Sequence, residues 1–365
     1  MPKLTIISSA QNWLEQSAID QLHHTLALPG VINAVGLPDL HPGKTPVGAV
    51  ITTDGILYPH LVGNDIGCGM SFFTTNLEIR KLNLERLARK TESLSSLKEI
   101  PLPADNAFFC SPLGDNLGTI GGGNHFAELQ EAAAIFDKEE FNKLGFDKNQ
   151  VMLLVHSGSR SYGETILDES IRIHQAQNGL LHTTTAAQQY LTHHDNAVKW
   201  AAVNRQLIAV RLLQALGLST QTNCLVDCAH NYVSVKQLGH KQVFLHRKGA
   251  APGDQGAIVI PGSRGALTYL VKPTAHTEAS AYSLAHGAGR KWQRSLCRGR
   301  LENKYTKESI KHTKLKSRVI CHDSKLLFEE APEAYKNIDT VIQSLIDFNL
   351  IDIIATFKPL LTYKA

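Results

Sequence analysis

The chain has 365 residues, 43% apolar and 19% charged, enough to bury a sizeable core, which excludes a disordered or tail-like protein. A formal net charge of +4 excludes a histone-like polycation, but it hides a local excess: residues 290–318 carry eleven Lys or Arg against two Glu, so the remainder is acidic. The six cysteines (68, 110, 224, 228, 297, 321) are too sparse for a disulfide scaffold, and the absence of a leader-like N-terminus or an ~18-residue apolar run predicts a cytoplasmic protein with reduced thiols and no membrane partner.

In chain order, the apolar β-branched run 47–51 predicts a strand, followed by a helix near 82–98, a buried strand over 151–155 and a helix near 164–176. A longer helix is expected around 195–216, where Trp200, Val203, Leu207, Val210 and Leu213 or Leu216 recur at three- and four-residue steps. Strands follow at 223–227, 242–245 and 257–260, then helices near 288–297 and 332–347. This order lacks the regular alternation of a doubly wound sheet. It predicts a single irregular α+β domain over 1–365, with mixed sheets around a deep central cleft.

Glycine clusters punctuate these elements at 63–69, 118–123, 158–163, 249–265 and 287–289, and most hold a chemically active residue. Asp65 and Cys68 flank Ile66-Gly67, a carboxylate and a thiol at a spacing that can share one metal ion. Gly121-Gly122-Gly123 precede Asn124-His125, and their free amides can cradle an anion. His156 ends the predicted strand 151–155, and His230 stands at the exit of 223–227. Cys224 and Cys228 would share a strand face about 13 Å apart, too far for one metal. His246-Arg247-Lys248-Gly249 and Pro261-Gly262-Ser263-Arg264 present cations and hydroxyls suited to phosphate. His286 precedes Gly287-Ala288-Gly289-Arg290, and a helix start there would disfavour imidazolium and leave a neutral nucleophile. Taken singly, a buried cysteine, a satisfied core histidine or a solvated charged turn explains each residue equally well. Taken together, one Asp, one Cys and His125, His156 and His230 form a dinuclear metal set with His286 to spare.

These motifs strongly resemble the RtcB family of GTP- and manganese-dependent RNA ligases. They include Asp39-Leu40-His41-Pro42-Gly43-Lys44, Asp65-Ile66-Gly67-Cys68-Gly69-Met70, Gly123-Asn124-His125-Phe126, His156-Ser157-Gly158-Ser159-Arg160 and Ala229-His230-Asn231-Tyr232. Further along come Arg247-Lys248-Gly249-Ala250, Pro261-Gly262-Ser263, His286-Gly287-Ala288-Gly289-Arg290 and Glu330-Ala331-Pro332-Glu333-Ala334-Tyr335-Lys336. They run in family order over almost the whole chain.

The resemblance implies two Mn2+ ions, one held by Asp65, Cys68 and His125 and the other by Cys68, His156 and His230. It makes His286 the residue that accepts GMP from GTP. It also assigns guanylate contacts to Asn124, Glu128, Asn231, Ser263, Thr268, Gly287, Ala288, Gly289 and Lys364. The implied reaction joins RNA 3′-phosphate or 2′,3′-cyclic phosphate ends to 5′-hydroxyl ends in RNA repair or tRNA splicing. Spacing alone favours Zn2+ for such a donor set; manganese rests on the resemblance.

Asn64 and Thr268 depart from the usual family residues, and the chain is short. These features resemble the compact branch encoded with a peptide-chain-release-factor homologue, a functional partner by implication. The basic segment 290–318 is expected to bind RNA, with Arg290, Arg294 and Arg298 on one helix face. Two other readings compete: a metal-dependent RNA 3′-end phosphoesterase, which needs the metal donors but not His286, and an RNA-binding repair subunit whose catalysis has decayed.

Overall fold

A computed structural model describes residues 2–101 and 116–364; Cys110 lies outside the described residues. Two sheets dominate it. The smaller has the order Lys3–Ile6, Val31–His41, Val47–Asp54, Lys241–Lys248, Asn231–Leu238. The larger runs Ile258–Pro261, Thr268–Pro273, Ile351–Lys364, Phe126–Ile135, Gln150–Ser157, Gly69–Glu78, Cys224–Ala229, with Arg318–Cys321 paired parallel to Ile351–Lys364. Helices and mixed sheets form one α+β domain, as expected.

The strand Gln150–Ser157 explains the centre of the larger sheet. Every residue from Val151 to Ser157 is buried, and its apolar, β-branched character suits a strand covered on both faces. One face meets Ile208, Leu212 and Leu213 of the helix Thr185–Leu216; Met152 and Leu154 pack instead with Phe72, Phe141 and Phe357.

That helix is capped by Thr184, whose hydroxyl accepts from the Ala187 amide, and stops at Gly217 with φ +67°. It begins ten residues before the expected start. Its early turns bury Ala187, Tyr190 and His194 rather than large aliphatics, so the apolar periodicity is weak there. His194 Nε2 accepts from the Val233 amide at 2.9 Å, which satisfies a buried polar side chain.

The expected helix 288–297 is corrected. Residues 286–293 form no helix; the helix is Arg294–Leu301. Gly289 explains the difference, because its φ is +71° and a Cβ there would lie 2.3 Å from the Asp39 carbonyl oxygen. The chain is held tight against the strand Val31–His41 and cannot turn into a helix. His286 therefore follows the strand Ser283–Ala285 and does not stand at a helix N-terminus. Arg290 bridges to Tyr335 outside the helix and does not share a helix face with Arg294 and Arg298. Likewise, the expected helix 82–98 ends at Glu92, and 332–347 divides into a short turn at Pro332–Ala334 and a helix Ile338–Asp347.

The two sheets join where the site lies. The chain leaves the larger sheet at Ala229 and enters the smaller at Asn231, so His230 is the crossing residue. Among the described residues, no helix is long and apolar enough to cross a membrane.

Candidate active site

A cleft of about 530 Å3 opens at this junction, within the range of small-molecule sites. Strand ends from both sheets build its wall, and this placement fixes side chains more firmly than a free loop can.

Its floor is a cluster of metal-ligating atoms. Cys68 Sγ lies 3.3 Å from His125 Nε2 and 3.2 Å from His156 Nε2, and these three donors lie within 4.8 Å of one another. Asp65 Oδ2 is 2.9 Å from His125 Nε2. Gly158 allows that approach, since a Cβ there would lie 2.2 Å from Asp65 Oδ1. His230 joins from the sheet crossing: its amide donates to the Cys68 carbonyl at 2.7 Å, and its ring centroid is 5.2 Å from that of His156. His156 Nδ1 faces the Asn124 carbonyl at 3.1 Å. Donating there leaves Nε2 with a free lone pair, the arrangement metal-binding histidines adopt.

Electrostatics fit the same purpose. Burial, reinforced by neighbouring imidazoles, pushes His156 and His230 well below the usual histidine range, so both stay neutral. Burial and the nearby Asp65 carboxylate push the Cys68 thiol well up. A buried thiol with that cost needs a bound cation to ionise. Burial opposes the Asp65 charge, but His125, a Cys68 hydrogen bond and Arg160 outweigh it and hold the carboxyl below its ordinary value. A carboxylate, a thiol and imidazoles fit a divalent transition ion or zinc.

His286 stands beside this cluster, its ring centroid 4.6 Å from that of His230. Asp39, fully buried, accepts from the His286 amide at 3.1 Å and from its Nδ1 at 2.6 Å, both through Oδ2. This leaves Nε2 as the nitrogen with a free lone pair. Lys336 Nζ donates to the carbonyls of Pro38 and Leu40 at 3.1 and 2.8 Å and holds the backbone on either side of Asp39. Asp39 controls His286 although the sequence motif around it carries no sign of that role.

The nucleotide-contact candidates line the same cleft. Asn124, Glu128, Asn231, Ser263, Gly287, Ala288, Gly289 and Lys364 all line the cleft. Asn231 accepts from the Gly249 amide at 2.8 Å and donates to the Asp65 carbonyl at 3.2 Å, tying two glycine loops together. Lys364 Nζ donates to the His125 carbonyl at 2.8 Å, and burial draws its pKa down to about 8. Burial raises Glu128 to about 7, against hydrogen bonds from Thr362 and Gln130. Thr268 is buried behind the wall. Its hydroxyl accepts from Gln130 Nε2 at 2.8 Å, and Gln130 donates to Glu128 at 2.7 Å.

Sequence reasoning misses Asn204 and Arg205, neighbours on the long helix. Asn204 accepts from Gly118 N at 2.7 Å and donates to Gly158 O at 3.2 Å. Arg205 donates to the carbonyls of Gly67 and Ser157 at 2.8 and 3.0 Å and pairs with Asp227 at 2.8 Å. Together they fasten the glycine loops that carry Asp65, Cys68 and His156. The only signal in the sequence is two polar residues inside an apolar helical stripe.

Comparison with known proteins identifies the family. A family model described as tRNA-splicing ligase RtcB matches residues 21–112 and 110–365. The chain is 46% identical to RNA-splicing ligase RtcB2 of Escherichia coli (strain ATCC 25922), covering 98% of this chain and 94% of the relative. It is 28% identical to RNA-splicing ligase RtcB of Escherichia coli K12, over 96% and 95% of the two chains. It is also 28% identical to tRNA-splicing ligase RtcB of Nanoarchaeum equitans, over 96% and 92%. The chain belongs to the RtcB family of splicing ligases.

Proposed function

We propose that this protein is a GTP- and Mn2+-dependent RNA ligase, joining RNA 3′-phosphate or 2′,3′-cyclic phosphate ends to 5′-hydroxyl ends through GMP carried on His286. The observation that carries this reading is the Asp39–His286 pair, 2.6 Å apart and beside the Cys/His/Asp cluster. A phosphoesterase would use the same imidazole as a general acid or base; a ligase uses it as a nucleophile that carries the nucleotide, and the test below separates the two.

Asp65, Cys68 and His125 would hold one metal ion, and Cys68, His156 and His230 a second. Bound there, the ions supply charge neutralisation to phosphate oxygens.

His286 Nε2 attacks the α-phosphorus of GTP, an N–P bond forms, and pyrophosphate departs with the broken P–O bond. The imidazole then carries substituents on both nitrogens and a positive charge, which the Asp39 carboxylate stabilises. A 3′-phosphate oxygen of RNA, present at the outset or released by hydrolysis of a cyclic end, attacks the guanylate phosphorus and frees neutral His286. The 5′-hydroxyl of the second RNA end then attacks the activated 3′-phosphorus, losing its proton as GMP leaves. Glu128 and Lys364 bind the base, and the Gly287–Gly289 backbone runs alongside the phosphates.

The exposed cations Arg298, Arg300, Lys304 and Lys307 supply contacts to the RNA backbone. Coupling to a peptide-chain-release-factor homologue belongs to the same proposal. It rests on the short chain and on Asn64 and Thr268, the features that resemble the compact branch.

The test is incubation with α-labelled GTP and Mn2+, for wild type and His286→Ala. A covalent label present in wild type and absent in the variant is expected. A wild-type protein that opens cyclic ends without taking label is a phosphoesterase, and the ligase reading then fails.

A further inference from the structure

Asp39 holds two imidazoles, one by its side chain and one by its backbone. His286 faces the carboxylate through Nδ1, and His41, at the end of the strand Val31–His41, faces the Asp39 carbonyl through its own Nδ1 at 2.9 Å. A carbonyl only accepts, so Nδ1 of His41 carries the proton and Nε2 the lone pair. That Nε2 has no partner among the described residues and is not sealed from solvent. His41 lines the same cleft as His286. Burial draws its pKa down to about 4, helped by His286 and Lys336 and opposed by the Asp39 carbonyl and charge, so the ring stands neutral and able to accept a proton.

The ligase reaction needs such a group at the joining step. His286 attacks as a neutral imidazole and the RNA 3′-phosphate as an anion, so neither loses a proton. The 5′-hydroxyl does carry one, which must depart as its oxygen bonds to phosphorus. The other bases of the cleft are engaged. Four are metal donors, Glu128 serves the nucleotide, Glu330 is tied to Arg290 and Arg294 at 3.0 and 3.3 Å, and Glu15 accepts from Ser17 at the rim. In-line attack puts the hydroxyl on the far side of the phosphorus from the guanylate that His286 has just released.

We propose that His41 is the general base of the joining step, its Nε2 taking the proton of the RNA 5′-hydroxyl. The inference rests on the ligase reading above. The 5′ O–H bond breaks, a P–O bond forms at the 3′-phosphorus, and the bond to GMP breaks with its electron pair on GMP. The proton then passes from His41 to water. RNA phosphates in the cleft favour the imidazolium, so His41 becomes a stronger base once substrate is in place.

The experiment isolates joining from the earlier steps. RNA with a preformed 3′-guanylylated end is mixed with excess enzyme, Mn2+ and 5′-hydroxyl RNA, and single-turnover joining is followed against pH for wild type, His41→Asn and His41→Gln. Adduct formation with α-labelled GTP is measured alongside. Both amides can still donate to a backbone carbonyl, but neither takes up a proton. Joining should slow by about 10²-fold or more in the variants, while adduct formation stays within about threefold. The wild-type joining rate should climb with pH and level off once His41 is deprotonated, and the variant rate should keep rising as hydroxide replaces the missing base. A merely structural role lowers both steps together and leaves the shape of the profile unchanged. Variants that join as wild type does, or that keep the wild-type profile at a lower rate, overturn the inference. If both variants fail to fold, wild type alone decides, because a joining rate that does not climb with pH overturns it. Wild type that neither takes label nor joins the preformed end marks failure of the ligase reading itself, and the inference falls with it.

Discussion

The cleft floor and the basic segment 290–318 are both built from charged or ionisable residues, but they are organised in opposite ways. On the floor, Cys68, His125, His156 and His230 are each 5% exposed or less, positioned at strand ends and held by Asn204, Arg205 and close-packed glycines. In the segment, Lys291, Arg294, Arg298, Arg300, Lys304, Lys307, Lys314 and Lys316 are exposed. Even there the charge is not uniform. Arg290 is tied to buried Glu330 at 3.0 Å, and Arg318 reaches Glu85 at 3.2 Å and Glu92 at 3.5 Å. Arg300 covers the Trp292 ring at 4.9 Å. The floor demands fixed geometry, because bond-making tolerates little displacement. For the RNA binding proposed here the segment would need only density of charge, because phosphate attraction is long-ranged and carries little directional information.

The floor is the more sensitive of the two regions. Cys68→Ala should abolish metal retention and lower adduct formation on the order of 10³-fold or more, read by metal content per chain and labelling rate. The exposed Cys224→Ala should leave both unchanged. Asp39→Asn should come next, with labelling slowed by about 10³–10⁴-fold, because an amide can stabilise the wrong imidazole tautomer and cannot offset the cationic adduct. A Cys68 or Asp39 variant with near-normal labelling would show that the floor is not positioned chemistry.

A smaller effect tests the nucleotide wall. Burial raises Glu128 to about 7. In the proposed site its carboxylate accepts from guanine N–H groups above that value, and below it the carboxyl is protonated and one acceptor disappears. KM for GTP should therefore rise as pH falls below 7, by up to about tenfold per unit. Glu128→Gln should flatten the profile, and a wild-type profile already flat contradicts the assignment.

Within the basic segment the prediction divides by partner. Arg290→Ala removes one of two arginines on buried Glu330, leaving Arg294 at 3.3 Å and the Tyr335 hydroxyl, and should cost about 1–3 kcal/mol of stability, measured by denaturant unfolding. Arg298→Ala and Lys304→Ala should change stability by less than about 0.5 kcal/mol. They should weaken RNA binding and reduce the slope of log affinity against log salt by about one for each phosphate left without its cation. An unchanged slope would mean that the segment is only a solvated surface.

Legibility in the sequence follows the same division. Strands such as Gln150–Ser157 announce themselves through continuous apolar runs, and glycine clusters mark where strands end. His156 and His230 can therefore be placed at strand exits from the sequence alone. Long-range pairing is not legible. Nothing local says that Asp39, 247 residues before His286, should meet its Nδ1, or that Arg205 should fasten Gly67 and Ser157. The segment after His286 misleads for a related reason. Arg290, Arg294 and Arg298 have helical spacing, but close approach of Gly289 to the Asp39 backbone outweighs local propensity.

The most direct test of the whole account is which residue carries the nucleotide. Wild-type protein is incubated with GTP and Mn2+, digested without acid and mapped by mass spectrometry. The account predicts one GMP on His286, through an acid-labile N–P bond, and little or none over the same interval when Asp39 is replaced by Asn. GMP on a lysine of the same cleft, such as Lys248 or Lys364, would contradict it, as would a chain that ligates RNA without ever carrying GMP.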